Sequence, residues 1–88
     1  MSRYTIEYAP HAEKELRKVR DARISRPLRA AIDDLQDDPR PVGVKKLVGP
    51  SDLWRIRVGD WRVVYQVEDG RLVVVVAVGG RSGVYGVV

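Results

Sequence analysis

The sequence predicts an α+β domain in which an N-terminal strand and two helices precede an antiparallel sheet of about four strands. Apolar residues recur at helical spacing in the first third of the chain, and β-branched and aromatic residues fill three runs in its second half. The dipeptides Gly59-Asp60 and Asp69-Gly70 separate those runs and are typical of tight hairpins. We therefore expect the two helices to pack on one face of the sheet.

The N-terminal part supplies the first strand and both helices. Tyr4, Ile6 and Tyr8 alternate with polar residues, which is the period of a half-buried strand. Pro10 then ends the strand and suits the first turn of a helix. The second helix carries apolar residues at helical spacing, namely Ile24, Leu28, Ala31, Ile32 and Leu35.

The boundaries of the second helix depend on one proline. Ser25 is the predicted N-cap, because that start places Pro27 in the first turn, where proline is tolerated. A start near Arg20 would instead leave Pro27 inside the helix as a kink. The helix should end before Asp38-Pro39, since a residue that precedes proline avoids the α region.

The remaining chain is predicted to be a loop followed by strands. Residues 40–51 contain two prolines and two glycines and are expected to form the loop. Strands are expected over residues 53–58, 61–68 and 71–78, with a short last strand over residues 84–87.

The hairpins predict which side chains share a face of the sheet. A two-residue turn places Val58 opposite Trp61, and residues that face each other point to the same side. One face then carries Trp54, Ile56, Val58, Trp61, Val63, Tyr65 and Val67, and the helices are expected to cover it. A two-residue second turn adds Leu72, Val74, Val76 and Val78 to that face. The other face receives Val73, Val75, Ala77, Gly79 and, if the strand continues, Arg81.

The uncovered face gathers positive charge. Arg55, Arg57 and Arg62 are predicted to lie on it, with Arg57 directly opposite Arg62 and Arg62 opposite Ala77. Facing like charges destabilise a strand pair, whereas guanidinium groups match phosphate oxygens. An apolar floor beneath them is predicted from Val64, Val75 and Ala77. The alternative is that the arginines only solvate an outer face, paired with Asp52, Asp60 or Glu68.

Composition narrows the class of protein. The 88 residues fit a single domain, 1–88, and the formal net charge of +4 fits nucleic acid or an acidic protein as partner. Without cysteine there is no disulfide or thiolate metal site. The longest apolar run, Leu72 to Val78, is too short to span a bilayer, and no signal peptide is evident, so we expect a cytoplasmic protein without a membrane partner.

One acidic group admits two interpretations. Asp34, Asp37 and Asp38 lie on one side of the end of the second helix, and carboxylate oxygens are ligands that Mg²⁺ accepts. A solvated helix end paired with Arg40 or Lys45 is the favoured interpretation, so no metal is predicted.

Several motifs together carry a family resemblance. They are the strand and helix of residues 4–8 and 12–16, the loop segments 38–41 and 44–49, the hairpin of residues 53–65, and Val78-Gly79-Gly80-Arg81 with Tyr85. Over nearly the whole chain, this combination resembles the RelE branch of the RelE/ParE toxin superfamily. The resemblance implies a toxin that enters the ribosomal A site and cuts mRNA without a metal or other cofactor. It also implies a cognate antitoxin, the ribosome and mRNA as partners.

The resemblance also implies roles for individual residues. The central arginine of the family falls on Arg62 and its later arginine on Arg81, and both are assigned to the scissile phosphate. Its C-terminal tyrosine falls on Tyr85, with a role in stacking on the RNA, orienting it, or transferring a proton. Gly80 stands where relatives commonly place histidine or lysine.

Phosphate binding is assigned to Arg55, Arg57, Lys45 and Lys46. In the best-studied branch of the family, the positions of Arg55 and Arg57 hold lysines. Since arginine keeps its proton in a protein, the identity of the general base stays open. Two alternatives therefore remain: a ParE-like inhibitor of DNA gyrase without an active site, and a catalytically weak member that only binds its antitoxin.

Overall fold

The computed structural model of the chain describes residues 4–49 and 52–80. Along these residues lie β1 (Thr5–Tyr8), α1 (Pro10–Lys18), α2 (Ala22–Asp34), β2 (Lys45–Lys46), β3 (Leu53–Val58), β4 (Trp61–Glu68) and β5 (Leu72–Gly80). The predicted α+β arrangement is confirmed. The sheet has five strands in the order β1-β5-β4-β3-β2 and is mixed, because β1 runs parallel to β5.

Helix α2 begins earlier than predicted. Its N-cap is Asp21, whose carboxylate accepts a hydrogen bond from the backbone N–H of Arg23 at 2.9 Å. The Ser25 prediction was therefore wrong, and Pro27 lies inside the helix. The Asp21 carboxylate also pairs with the Arg23 guanidinium at 3.1 Å. Both interactions favour a helix that begins directly after Asp21. The helix ends at Asp34, before the Asp38-Pro39 dipeptide as predicted.

The main core lies between the helices and one face of the sheet. Its buried members are Ala12, Leu16, Leu28, Ile32, Leu35, Ile56, Val63, Tyr65, Val73, Val75 and Val78. Tyr65 is fully buried, as expected for the covered face, and its hydroxyl donates a hydrogen bond to the Pro39 carbonyl at 2.6 Å. Burial raises the pKa of Tyr65 well above its ordinary value, so this phenol is a structural group.

The first hairpin has the predicted register. Val58 faces Trp61 and Arg57 faces Arg62. Gly59, the first residue of the two-residue turn, has φ of 61°, a conformation that glycine adopts without steric cost. This tight turn sets the faces of β3 and β4.

The second hairpin differs from the prediction, because its loop has three residues and Glu68 pairs with Leu72. Tyr4 and Thr5, at the start of β1, bind the longer loop: Gly70 donates its backbone N–H to the Tyr4 hydroxyl at 3.0 Å, and the Thr5 N–H donates to the Arg71 carbonyl at 2.9 Å. Every residue at the start of β5 is therefore displaced by one position.

This displacement reverses the predicted faces at the start of β5. Val73 and Val75 are fully buried in the main core, whereas Leu72 and Val74 are only half-buried and lie on the other face. The prediction placed these residues the other way round, because it assumed a turn of two residues.

A β-bulge then restores the predicted faces. Tyr65 pairs with Val75 while Val64 pairs with Ala77, so Val76 is an extra residue on β5. Because of this extra residue, Val76 leaves the predicted core face and packs against Val64 and Ala77 on the other side.

Beyond the bulge, Val78 is buried in the main core and Ala77 lies on the opposite face, both as predicted. Arg62 faces Gly79, two residues further along β5 than the predicted partner Ala77.

Part of the predicted loop forms the short strand β2. The strand predicted over residues 84–87 lies outside the described residues. In the part of the chain that the structure describes, no helix is long and apolar enough to cross a membrane.

Candidate nucleic-acid interface

Four cationic side chains meet on the face of the sheet that the helices leave uncovered. They occupy two adjacent rows of the ladder: Lys45 faces Arg55 across β2 and β3, and Arg57 faces Arg62 across β3 and β4. We call Lys45, Arg55, Arg57 and Arg62 the basic cluster. Facing residues point to the same side of a sheet, so three neighbouring strands contribute to one positive surface.

A small second core forms the floor of the basic cluster. Val64 and Ala77 are fully buried in it, and Leu47, Leu53 and Val76 pack against them. Two of the three predicted floor residues are confirmed. Val75 is the exception, because the longer loop turns it into the main core.

The two inner arginines of the basic cluster are partly buried. The Nε atoms of Arg55 and Arg62 are buried, and both residues are half-buried overall. Apolar surroundings lower the local dielectric, which strengthens the attraction of a guanidinium group for an anion. The sheet therefore presents these two charges in a restricted orientation.

Lys45 and Arg57 are the exposed members of the basic cluster. Neither takes part in the ion pairs found within residues 4–49 and 52–80. Two of the carboxylates considered as partners for the arginines bind elsewhere: Asp52 pairs with Lys46 at 3.2 Å, and Glu68 pairs with Arg71 at 2.6 Å.

Lys46 lies apart from the basic cluster. It faces Trp54 across the ladder, and its Nζ is 5.8 Å from the centroid of the Trp54 ring. The guanidinium of Arg40 lies 4.9 Å from the same ring and pairs with Asp69 at 2.8 Å. The structure does not bring Lys46 to the arginines, and its binding to RNA stays a prediction.

The acidic residues after α2 take part in a local turn. The Asp38 carboxylate accepts a hydrogen bond from the backbone N–H of Arg40 at 3.1 Å. The Arg40 side chain turns to Asp69 and away from the helix end. Sequence spacing contains no signal for this pairing with Asp69, which depends on the path of the loop.

The two remaining predicted site residues, Arg81 and Tyr85, lie outside the described residues. The described part of β5 ends at Gly80, which faces Trp61, and Gly79 faces Arg62. The chain thus reaches the basic cluster immediately before Arg81 in the sequence.

Known proteins share both the sequence pattern and the fold. A family model described as the ParE toxin of the type II toxin-antitoxin system parDE matches residues 6–85. The RelE1 toxin of Methanocaldococcus jannaschii is 25% identical over 87 residues, which cover 94% of this chain and 96% of that protein.

Two solved structures extend this likeness. A chain of the archaeal RelE–RelB complex from Pyrococcus horikoshii is 28% identical, with a TM-score of 0.76, over 92% of this chain and 98% of that chain. The isolated RelE toxin of E. coli is 32% identical, with a TM-score of 0.75, over 94% of this chain and 92% of that chain. The chain therefore belongs to the RelE/ParE superfamily and is a RelE-family toxin of a type II toxin–antitoxin system.

Proposed function

We propose that this toxin is a ribosome-dependent, metal-independent endoribonuclease that cuts mRNA at the basic cluster. The observation that carries the proposal is the convergence of Arg55, Arg57 and Arg62 on one uncovered face, over an apolar floor. Placing Arg57 opposite Arg62 costs stability. Binding of a polyanionic ligand accounts for two facing like charges.

The proposed reaction is an internal phosphoryl transfer. The ribose 2′-OH attacks the adjacent phosphorus, the bond to the 5′ oxygen breaks, and the products carry a 2′,3′-cyclic phosphate and a 5′-OH. Negative charge accumulates on the phosphate oxygens in the transition state, and fixed positive groups lower the barrier by binding it. Holding the attacking and leaving oxygens in line lowers the barrier further.

Each proposed site residue has a separate task. Arg62, whose Nε atom is buried, binds the scissile phosphate together with Arg81. Arg55 and Arg57 bind neighbouring phosphates of the RNA backbone. Tyr85 stacks on the RNA or takes part in proton transfer.

The proposed partners are the ribosome, mRNA and a cognate antitoxin, and the proposed location is the cytoplasm. A homologous RelE from Pyrococcus horikoshii was solved in complex with RelB, which supports an antitoxin as partner here. The positive charge of the basic cluster is complementary to an acidic segment of an antitoxin as well as to RNA.

The test maps mRNA 5′ ends in cells that express the chain. Wild-type protein should produce cuts in phase with codons. Arg62→Ala should lower cleavage on purified translating ribosomes by about 10²- to 10³-fold, the range for loss of one donor to a developing oxyanion. Arg81→Ala and Tyr85→Phe should also be impaired.

Arg71→Ala is the matched control, because Arg71 is an exposed arginine paired with Glu68 in the second hairpin loop. It should cleave like the wild type. Intact mRNA in cells that express folded wild-type protein would refute the nuclease proposal.

Inhibition of DNA gyrase is the second candidate function. The specific observation in its favour is that the matching family model is described as the ParE toxin. DNA damage with intact mRNA would support this function. Unaffected growth with folded protein would support a member that only binds its antitoxin.

A further inference from the structure

We propose that Lys45 donates the proton to the leaving 5′ oxygen during RNA cleavage. This inference rests on the proposed nuclease function and adds a catalytic residue to it. The observation behind it is the placement of a lysine amine within the basic cluster, directly opposite Arg55.

The reaction requires two proton movements. The O2′–P bond forms as the 2′-OH loses its proton, which passes to water. The P–O5′ bond breaks, and the electron pair stays on O5′, which takes a proton from the Lys45 ammonium. The resulting neutral amine regains its proton from solvent, so atoms and charge balance.

Lys45 is the member of the basic cluster that is able to make this transfer. Arginine keeps its proton in proteins, so Arg55, Arg57 and Arg62 bind charge without donating a proton fully. A lysine ammonium carries a transferable proton at neutral pH. On the same face, the acidic Glu7 lies far away on β1, at the opposite edge of the sheet.

The ladder sets the distance between the two groups. Lys45 and Arg62 are separated by two strand spacings and by two residues along the strands. With strands about 4.8 Å apart and a rise of about 3.4 Å per residue, their Cα atoms are roughly 12 Å apart. Two long side chains that converge from this separation are able to contact one phosphate from different sides.

The backbone of β2 fixes which lysine points to the arginines. Leu47 donates its N–H to the Leu53 carbonyl at 2.8 Å, and Val44 donates to the Pro41 carbonyl at 3.0 Å, so both ends of this short strand are anchored. Successive residues of a strand point to opposite faces. Lys45 is therefore exposed beside Arg55, and its neighbour Lys46 packs on Trp54.

The test changes the leaving atom of the substrate. Ribosomes are programmed with an mRNA that carries either oxygen or sulfur at the 5′ bridging position of the scissile phosphate. A thiolate leaves without a proton, because thiols are far more acidic than alcohols. Single-turnover cleavage rates are measured for each substrate, with thermal unfolding to verify that every variant is folded.

Lys45→Ala should cleave the oxygen substrate about 10²- to 10³-fold more slowly than the wild type, a typical loss for a general acid. On the sulfur substrate it should match the wild type. Lys45→Arg, which keeps the charge but not the transferable proton, should show the same pattern. Arg62→Ala should be slow on both substrates, and Lys18→Ala on α1 is the lysine control that should be normal on both.

The outcomes separate the two proposals. Equal slowing of Lys45→Ala on both substrates would show a role in binding alone and overturn the inference, as would normal rates on both. If the wild type leaves the oxygen substrate intact, the nuclease function itself is refuted and the role of Lys45 is refuted with it.

Discussion

The two faces of the sheet differ in composition: one is an apolar core and the other carries the basic cluster. The covered face buries valines and Tyr65 against α1 and α2, and within residues 4–49 and 52–80 no charged residue is buried. The uncovered face places Arg57 opposite Arg62, over a floor in which Val64 and Ala77 are fully buried. Apolar burial on one side supplies stabilisation that offsets repulsion on the other. Because successive side chains of a strand point to opposite faces, β3 and β4 contribute to both.

The largest expected effect on stability comes from placing a lysine at Val73 or at Val74, which are adjacent in β5 and lie on opposite faces of the sheet. Val73→Lys should abolish cooperative unfolding, because a buried unpaired charge costs several kcal/mol and a domain is stable by only about 5–15 kcal/mol. Val74→Lys should remain folded, since Val74 is half-buried and faces Glu7. Urea unfolding followed by circular dichroism measures both. If the Val74 variant unfolds and the Val73 variant stays folded, the register predicted from the sequence is correct and that of the structure is wrong.

The next effect concerns the bulge that realigns the two faces. Inserting one alanine between Ala77 and Val78 should turn Val78 out of the core and the new alanine into it, at a cost of about 2–5 kcal/mol for the cavity and the lost burial. The control, Val76→Ala, keeps the bulge and should cost only about 1 kcal/mol. The free energy of unfolding decides between them. Equal losses would show that the extra residue does not control the faces.

A smaller effect is expected from the tyrosine of the covered face. Tyr65→Phe removes the hydrogen bond to the Pro39 carbonyl and should cost about 1–2 kcal/mol. Because the folded-state pKa of Tyr65 is raised above that of the unfolded chain, its contribution is complete below about pH 10 and is lost as the pH rises further. Urea unfolding between pH 7 and 11 should show a shallower alkaline decline for the variant. An unchanged decline would contradict this role.

The smallest effect on stability, with opposite sign, is expected at Arg57. Arg57→Glu should stabilise the protein by about 0.2–1 kcal/mol, because it replaces a facing like-charge pair with an opposite-charge pair. The same change should reduce cleavage by reversing a charge of the basic cluster. Arg71→Glu, the control, breaks the ion pair with Glu68 and should be slightly destabilising. A destabilised Arg57→Glu protein would show that the facing arginines do not cost stability.

The two hairpins show how far sequence reasoning extends. The register of the first follows from Gly59-Asp60, whose backbone geometry is local, and this places Arg55, Arg57 and Arg62 together. The second carries the similar signal Asp69-Gly70 but forms a longer loop. In the structure the backbone N–H of Gly70 donates a hydrogen bond to the hydroxyl of Tyr4, 66 positions away in the chain, and no local pattern specifies this contact.

The two lysines of β2 also show what local sequence patterns do not predict at the candidate site. The sequence analysis predicts phosphate binding by both Lys45 and Lys46. Which of them lies beside Arg55 depends on the pairing of β2 with β3, and that pairing joins residues across a loop. Arg81 and Tyr85 remain predictions from the resemblance.

By itself, the sequence determined the order of the two helices and of β1, β3, β4 and β5, the helix-covered face of the first hairpin, and the arginines opposite that face. These follow from periodicity and from one tight turn, which act between near neighbours in the chain. Only the tertiary structure decided the parallel pairing of β1, the bulge at Val76 and the separation of Lys45 from Lys46. Those features arise from hydrogen bonds and packing between distant segments, whose relative positions no local pattern specifies.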